Sequence, residues 1–177
     1  MTNTRVGTKR AFCKALAVLF AGMSGSTVFM PAAHAQAKSA TVLTLTGNVS
    51  AADKTGLVEF DMAALKALDQ QTFTTATPWD ARPVKFSGPL LRDVLAAASA
   101  KGTQLSAVAV NDYSVNVPMD DATKLDPILA IAVDDKEIPS RTRGPVFLIY
   151  SFNNIPSKDH AIYKYRSIWQ VKTIKVQ

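Results

Sequence analysis

The residues of this sequence that could contact a ligand gather in loops and at the ends of predicted strands. Indole rings stack on flat rings, guanidinium groups bind phosphate or ring carbonyls, and Asn or Asp side chains hydrogen-bond the edges of a ring. Together these types predict a site for a flat, polar heteroaromatic ligand, including an anionic one. The candidate residues are Thr75, Thr77, Trp79, Asn111, Asp112, Tyr113, Arg141, Arg143, Arg166, Ser167 and Trp169.

Motifs for other kinds of chemistry are missing. The chain has no GxGxxG or P-loop for phosphates and no Gly-x-Ser-x-Gly elbow for a serine nucleophile. The pairs at 120–121 and 134–135 are expected to be solvated aspartates in turns, and His160 a surface histidine in a polar loop. No acid, base or nucleophile can therefore be assigned to a catalytic step.

The first 35 residues have the pattern of a secretory signal. Basic residues precede an apolar run over 15–30, and Ala-His-Ala at 33–35 is a small-x-small cleavage site. An uncleaved membrane anchor is the alternative, but the run is short and interrupted by Gly, Ser and Thr. We expect cleavage after Ala35 and a periplasmic protein with no membrane span.

Removal of this segment changes the net charge and the cysteine content of the chain. The segment carries four of the 20 Lys and Arg and none of the 14 Asp and Glu, so the formal charge falls from +6 to +2. The basic excess that would favour a nucleic-acid partner is thus mostly targeting sequence. The only cysteine, Cys13, also leaves, which excludes disulfides and thiolate metal sites from the mature chain.

The pattern of apolar residues predicts one α+β domain over 41–177, after a short leader at 36–40. One helix follows Asp61 as its cap, and a second is opened by Pro89 and ended by Gly102. A polar loop is expected over 151–160. The predicted strands, which would form a mixed sheet, are 41–49, 71–77, 83–86, 107–110, 115–118, 128–133, 146–150 and 166–176.

Several of these segments together resemble the molybdopterin-binding oxidoreductase domain, which has the sulfite oxidase fold. The likeness covers about residues 41–177 and is greatest to the small, secreted, standalone members. The motifs that carry it are TPW at 77–79, FSGPLLRDVL at 86–95, NDYSVNVP at 111–118, RGPVFLIY at 143–150 and RSIWQVKTIKV at 166–176.

One departure from the family pattern bears on function. In the molybdenum enzymes a cysteine in the strand after the first helix ligates the metal, whereas residues 73–77 here read FTTAT. A threonine hydroxyl is a poor substitute for a soft thiolate, so molybdenum is not expected. The resemblance then implies a periplasmic pterin-binding or sensor protein, whose ligand is a pterin or a molybdopterin-like molecule and whose partner is an inner-membrane signalling protein. The alternatives are a molybdopterin-dependent oxidoreductase or its cofactor-binding subunit, and an interaction domain with a vestigial pocket.

The predicted last strand distinguishes two of the candidate residues. Arg166 and Trp169 are an odd number of residues apart, so a regular strand would place them on opposite faces. Both can contact one ligand only if the strand is twisted or bulged there, or if the ligand meets the end of the strand. If only one of them contributes, we expect Arg166 to face the ligand, and Trp169 and Ser167 to face the core. Replacement of Arg166 should then weaken binding without loss of stability.

Overall fold

The alternating sequence at the start of the domain makes a strand, because residues two apart on a strand share a face and Leu43 and Leu45 are both fully buried. The computed structural model describes residues 39–50 and 56–177. The predicted signal segment 1–35 and most of the predicted leader lie outside these residues. The described residues belong to one compact unit.

Short strands dominate this unit. The strands are β1 Thr41–Gly47, β2 Leu57–Asp61, β3 Gln70–Thr75, β4 Val84–Pro89, β5 Gln104–Ala109, β6 Ser114–Pro118, β7 Ile128–Ala130, β8 Ala132–Val133, β9 Lys136–Glu137, β10 Phe147–Ile149 and β11 Val171–Val176. The α-helices are α1 Met62–Ala67, α2 Leu91–Ala97, α3 Asp121–Lys124 and α4 His160–Arg166, and single 3-10 turns occupy Phe152–Asn154 and Ser157–Asp159. In the described residues no helix is long and apolar enough to cross a membrane.

The largest sheet has five strands in the order β2-β1-β11-β5-β6. β1 and β11 run parallel, with Thr44 opposite Thr173, and the other neighbours are antiparallel. The sheet is therefore mixed, and with the helices it confirms the predicted α+β class. The Asp61 cap is also confirmed, because its carboxylate accepts the backbone N–H of Ala64 at 2.7 Å.

Two smaller sheets complete the fold, one with the order β3-β4-β8-β9 and one that pairs β10 with β7. The apolar run over 128–133 was predicted as one strand, but it divides at Ile131 and passes from one sheet to the other. The turn predicted at 134–136 is present. Asp134 and Asp135 both have positive φ, which a two-residue hairpin turn requires.

Buried side chains form two clusters. The first joins the five-stranded sheet to α1 and α2 through residues such as Leu43, Leu65 and Leu91. The second lies around Phe86 and Phe147, with Trp79 packed against it. Trp79 is only partly buried in this second cluster, and its ring also lines the candidate functional site.

The start and end of α2 differ from the prediction. Pro89 ends β4 rather than opening the helix, because Leu90 bridges Ile128 and keeps the backbone extended until Leu91. The helix ends at Ala97, well before Gly102. Ser99 has a φ of 49°, and this left-handed residue stops the helical hydrogen bonds.

The structure of the C-terminal segment differs from the prediction more than that of α2 does. The predicted loop over 151–160 contains the two 3-10 turns. Helix α4 extends to Arg166, which was predicted as the first residue of the strand 166–176. The backbone N–H and the hydroxyl of Ser167 both donate to the Tyr163 carbonyl, which ends α4 there. β11 begins only at Val171. The argument that alternation on a strand separates Arg166 from Trp169 is therefore wrong.

A substitution at Gly88 tests the close contact between β4 and β7. A Cβ on this residue would overlap the backbone of Leu129 and Ala130, which cannot give way as a flexible side chain could. We expect Gly88→Ala to lower the free energy of unfolding by about 3 kcal/mol, the upper end for overpacking. Urea unfolding measures this loss. Ser87→Ala, at the neighbouring half-buried position, is the control and should change stability by less than about 1 kcal/mol; equal stability of the two variants would contradict the close contact.

Candidate functional site

A cavity of about 480 Å³ opens where the end of β5, the β5–β6 turn and α4 meet the segment 167–169. Its wall is mostly aromatic and aliphatic, with an amide, an amine and hydroxyls among the rings. The lining residues are Trp79, Ala109, Asn111, Tyr113, Ala161, Lys164, Tyr165, Ser167, Ile168 and Trp169. This combination of stacking surfaces and a few polar groups is typical of a small-molecule site.

Two indoles form one end of the cavity. The rings of Trp79 and Trp169 have centroids 5.8 Å apart and planes inclined by 72°. A flat ring held between two indoles needs parallel planes about 7 Å apart, since each contact takes about 3.5 Å. A ligand therefore cannot enter between these rings and would stack on one wall. Trp79 is fixed from behind by edge contacts to Phe147 and Phe152, whereas Trp169 is 39% exposed. The expectation that Trp169 is a core residue is wrong.

An ion pair joins the loop that carries Trp79 to the β9–β10 connection, which contacts Trp169. Arg143 Nη1 donates to Asp80 Oδ2 at 2.9 Å, and the Thr77 hydroxyl donates to the same oxygen at 2.6 Å. Thr77 also accepts the backbone N–H of Trp79. On the other side, the Arg143 guanidinium lies 5.9 Å from the ring centroid of Trp169. This pair thus helps to set the positions of both indoles.

The charge of Asp80 is stabilised by the same contacts. Burial raises the pKa of Asp80, but the hydrogen bonds from Arg143 and Thr77 together outweigh it, so the pKa lies below its ordinary value of 3.8. A lowered carboxyl pKa means that the folded state favours the ionised form. The contribution to stability is present above pH 3.8 and is lost as the pH falls through the folded-state pKa.

The β5–β6 turn supplies the polar edge of the cavity. Asn111 and Tyr113 line the wall, and the Asn111 side-chain oxygen accepts the backbone N–H of Tyr113 at 3.2 Å. Asp112 has a φ of 65°, and its carboxylate pairs with Lys172 at 2.7 Å. That partner lowers the pKa of Asp112. Asp112 therefore shapes the turn and does not line the cavity.

Helix α4 forms the opposite wall with Ala161, Lys164 and Tyr165, which share one face because they are three and four residues apart. Its last residue, Arg166, donates to Asp121 Oδ2 at 2.8 Å, and the Tyr150 hydroxyl donates to the same oxygen at 2.9 Å. Asp121 is only 7% exposed, so the expectation of a solvated aspartate is wrong. Burial and the neighbouring Asp121 charge raise the pKa of Tyr150 far above its ordinary value, which keeps its hydroxyl a donor.

His160 begins α4 and is half-buried rather than a free surface histidine. Its Nε2 lies 3.1 Å from the Phe152 carbonyl and 3.0 Å from the Ile155 carbonyl, so the ring nitrogen donates to both. Its ring also meets Phe152 edge-on. These contacts hold the start of α4 against the preceding 3-10 turn.

Of the candidates predicted from sequence, the structure brings Trp79, Asn111, Tyr113, Ser167 and Trp169 together in the cavity wall. The other six lie outside it. Thr75 is buried and bonded to Asn153, and Arg141 is exposed near the β9–β10 connection. The remaining four make the contacts described above: Thr77, Asp112, Arg143 and Arg166.

Sequence reasoning missed the wall residues on α4, above all Lys164 and Tyr165. Residues 161–165 fall between the predicted loop over 151–160 and the predicted strand over 166–176, and no helix is predicted there. The signal was present, because Ala161, Lys164 and Tyr165 have the three- and four-residue spacing of one helix face.

The donor set does not suit a thiolate-bound metal. No group of three or more His, Cys, Asp or Glu that could hold a metal ion occurs in residues 39–50 and 56–177. The only cysteine in the sequence is Cys13. The resemblance aligns the stretch 73–77 with the metal-ligating cysteine. This stretch contains Thr75 and Thr77, whose hydroxyl groups already form hydrogen bonds within the protein.

The ion pair between Arg166 and Asp121 changes the expected effect of replacing Arg166. Arg166→Ala leaves the Asp121 carboxylate nearly buried without its cation, which costs about 3–5 kcal/mol for a fully buried pair. Because the Arg166 side chain is 23% exposed, we expect about 2–3 kcal/mol of lost stability. Thermal and urea unfolding measure it. Arg141→Ala removes an exposed arginine and should unfold like the wild type; the same behaviour in Arg166→Ala would mean that the ion pair contributes nothing.

Comparison with known proteins identifies the family. The family model described as "Oxidoreductase molybdopterin binding domain" matches residues 34–152, more than half of the 177-residue chain. No curated protein matches the chain. The matched region includes Trp79 and the β5–β6 turn and ends before α4, Ser167 and Trp169. The chain belongs to the oxidoreductase molybdopterin-binding domain family.

Proposed function

We propose that this protein is a periplasmic pterin-binding or sensor protein that binds a pterin or a molybdopterin-like ligand in the aromatic cavity without molybdenum redox catalysis. The observation that carries the proposal is the wall itself, in which two indoles and two phenols surround an amide and an amine. A pterin is a flat bicyclic ring with polar edges, so it matches both the stacking surfaces and the hydrogen-bonding groups. Membership of the family supports a ligand of this class.

Roles follow from the positions in the wall. Tyr165 or Trp169 offers a face for the ring, because both side chains are exposed, whereas Trp79 is packed against Phe147 and Phe152. The Asn111 amide and the Ser167 hydroxyl are placed to hydrogen-bond the polar edge. We also propose that the domain has the sulfite oxidase fold, which the α+β architecture and the family match support.

The proposed localisation and partner rest on different features. The signal-like pattern of residues 1–35 supports export to the periplasm. Exposed apolar side chains line the cavity or are next in sequence to residues that line it, which supports an inner-membrane signalling partner that binds beside the occupied site. These side chains are Val110, Tyr113, Ile162, Tyr165 and Trp169.

Two residues on α4 test the ligand site. Tyr165 lines the cavity and is 59% exposed, whereas Ile162 is 48% exposed and lies outside the wall. Tyr165→Ala should weaken pterin binding about fivefold, since loss of a ring-stacking contact costs about 1 kcal/mol at an exposed site. Ile162→Ala should bind as the wild type does. Neither change removes a buried side chain, so both variants should keep the wild-type melting temperature.

The measurement uses the protein's own fluorescence. Both tryptophans of the chain, Trp79 and Trp169, are in the cavity wall, and pterins absorb light where tryptophan emits. Titration with pterin should therefore quench the emission, and the quenching curve gives the affinity. Absence of quenching together with absence of binding by calorimetry would reject the pterin site, as would unchanged affinity in Tyr165→Ala.

Metal analysis separates the proposal from the alternative of a molybdopterin-dependent oxidoreductase or its cofactor-binding subunit. Because residues 36–177 contain no thiolate to hold the metal, protein recovered from the periplasm should contain far less than one molybdenum per chain. Elemental analysis of the protein expressed in a host that makes molybdopterin tests this, with a cysteine-ligated member of the family as the positive control. Stoichiometric molybdenum would favour the oxidoreductase.

A further inference from the structure

Lys164 is the cationic residue of the cavity wall. It lies between Ala161 and Tyr165 on the face of α4 that lines the cavity, and no acidic side chain is among the described lining residues. Within the described part of the chain its ammonium group has no carboxylate partner. The polar wall therefore carries one unneutralised positive charge.

Nearby cations differ from Lys164 in this respect. Arg143 pairs with Asp80, and Arg166 pairs with Asp121, so both guanidinium charges are balanced within the fold. Lys172, behind the β5–β6 turn, is balanced by Asp112 in the same way. Of the three arginines that the sequence suggested for an anionic ligand, Arg143 and Arg166 are thus already paired and Arg141 lies outside the cavity wall. Lys164 is the cation of the wall that is left to contact such a ligand.

We infer that Lys164 selects an anionic substituent, so that the ligand of this site is a pterin that carries a carboxylate or a phosphate. This inference rests on the proposed function of the cavity. An ammonium group is a compact charge on a flexible stem with three donors, and it can follow an anion at the cavity mouth without a fixed geometry. The aromatic wall would hold the ring, and Lys164 would distinguish charged from neutral derivatives of it.

The test compares two probes of similar size, pterin-6-carboxylate and the neutral 6-hydroxymethylpterin. At low salt, wild-type protein should bind the carboxylate about three- to tenfold more tightly, a range that allows for the solvent exposure of the lysine. Lys164→Met should remove this preference, so that the affinities for the two probes become nearly equal. Because Lys164 is exposed, the variant should keep the wild-type melting temperature, which shows that it is folded.

Lys158→Met is the matched control. It removes the same charge from an exposed residue in the preceding 3-10 turn that does not line the cavity, so the preference for the carboxylate should remain. The preference should also fall when the salt is raised from about 0.02 M to about 0.5 M, because a charge contact near the surface is screened. Lys164→Arg, which keeps the charge, should retain most of the preference.

The outcomes distinguish this inference from the function on which it rests. If neither probe binds the wild type, the pterin site itself is rejected. If both probes bind with equal affinity, or if Lys164→Met keeps the preference for the carboxylate, the role of Lys164 is rejected and the pterin site stands. A preference that is lost equally in Lys158→Met would mean only a long-range effect of net charge, and would also overturn the inference.

Discussion

A buried carboxylate, Asp121, holds the helix on which one wall of the cavity depends. Helix α4 has no fully buried residue of its own, and Tyr163 gives it a partly buried ring that packs against the second buried cluster. Its last residue, Arg166, is bonded to Asp121, and the Tyr150 hydroxyl shares the same carboxylate oxygen. Two donors on one oxygen offset the cost of burying the charge and leave little freedom for the carboxylate. This ion pair at the end of α4, together with the His160 contacts at its start, positions the residues of the helix that line the cavity.

A second ion pair, between Asp80 and Arg143, has a similar positioning role near the two indoles. Its partners come from different loops. Asp80 and Arg143 are 63 residues apart in sequence. Asp80 follows Trp79 in the chain, whereas Arg143 lies over the Trp169 ring from the β9–β10 connection. The cavity is thus framed by charge pairs outside its wall, while the wall itself is mainly rings. This division leaves Lys164 as the exception, a charge that faces the cavity without a partner.

Local patterns predicted many of the strands because their alternation is a property of a few neighbouring residues, although β2 and β9 were not predicted. β1, the Asp61 cap and the β5–β6 turn are each specified by short stretches of sequence. The C-terminal region failed for the opposite reason. In residues 160–166 the ring of Tyr163 packs against the second buried cluster, whereas Tyr165 lines the cavity, so the apolar residues do not mark a single core face. The role of Asp121 could not be predicted either, because its partners Tyr150 and Arg166 are 29 and 45 residues away in sequence.

The last strand, β11, lies in the middle of the five-stranded sheet, between β1 and β5. It pairs in parallel with β1 from the start of the domain, so the five strands cannot be joined into one sheet until residues 171–176 have been synthesised. Until then the β1–β2 and β5–β6 strand pairs are separate, and isolated two-stranded pairs are marginally stable in water. The position of one strand therefore couples the completion of this sheet to the synthesis of residues 171–176.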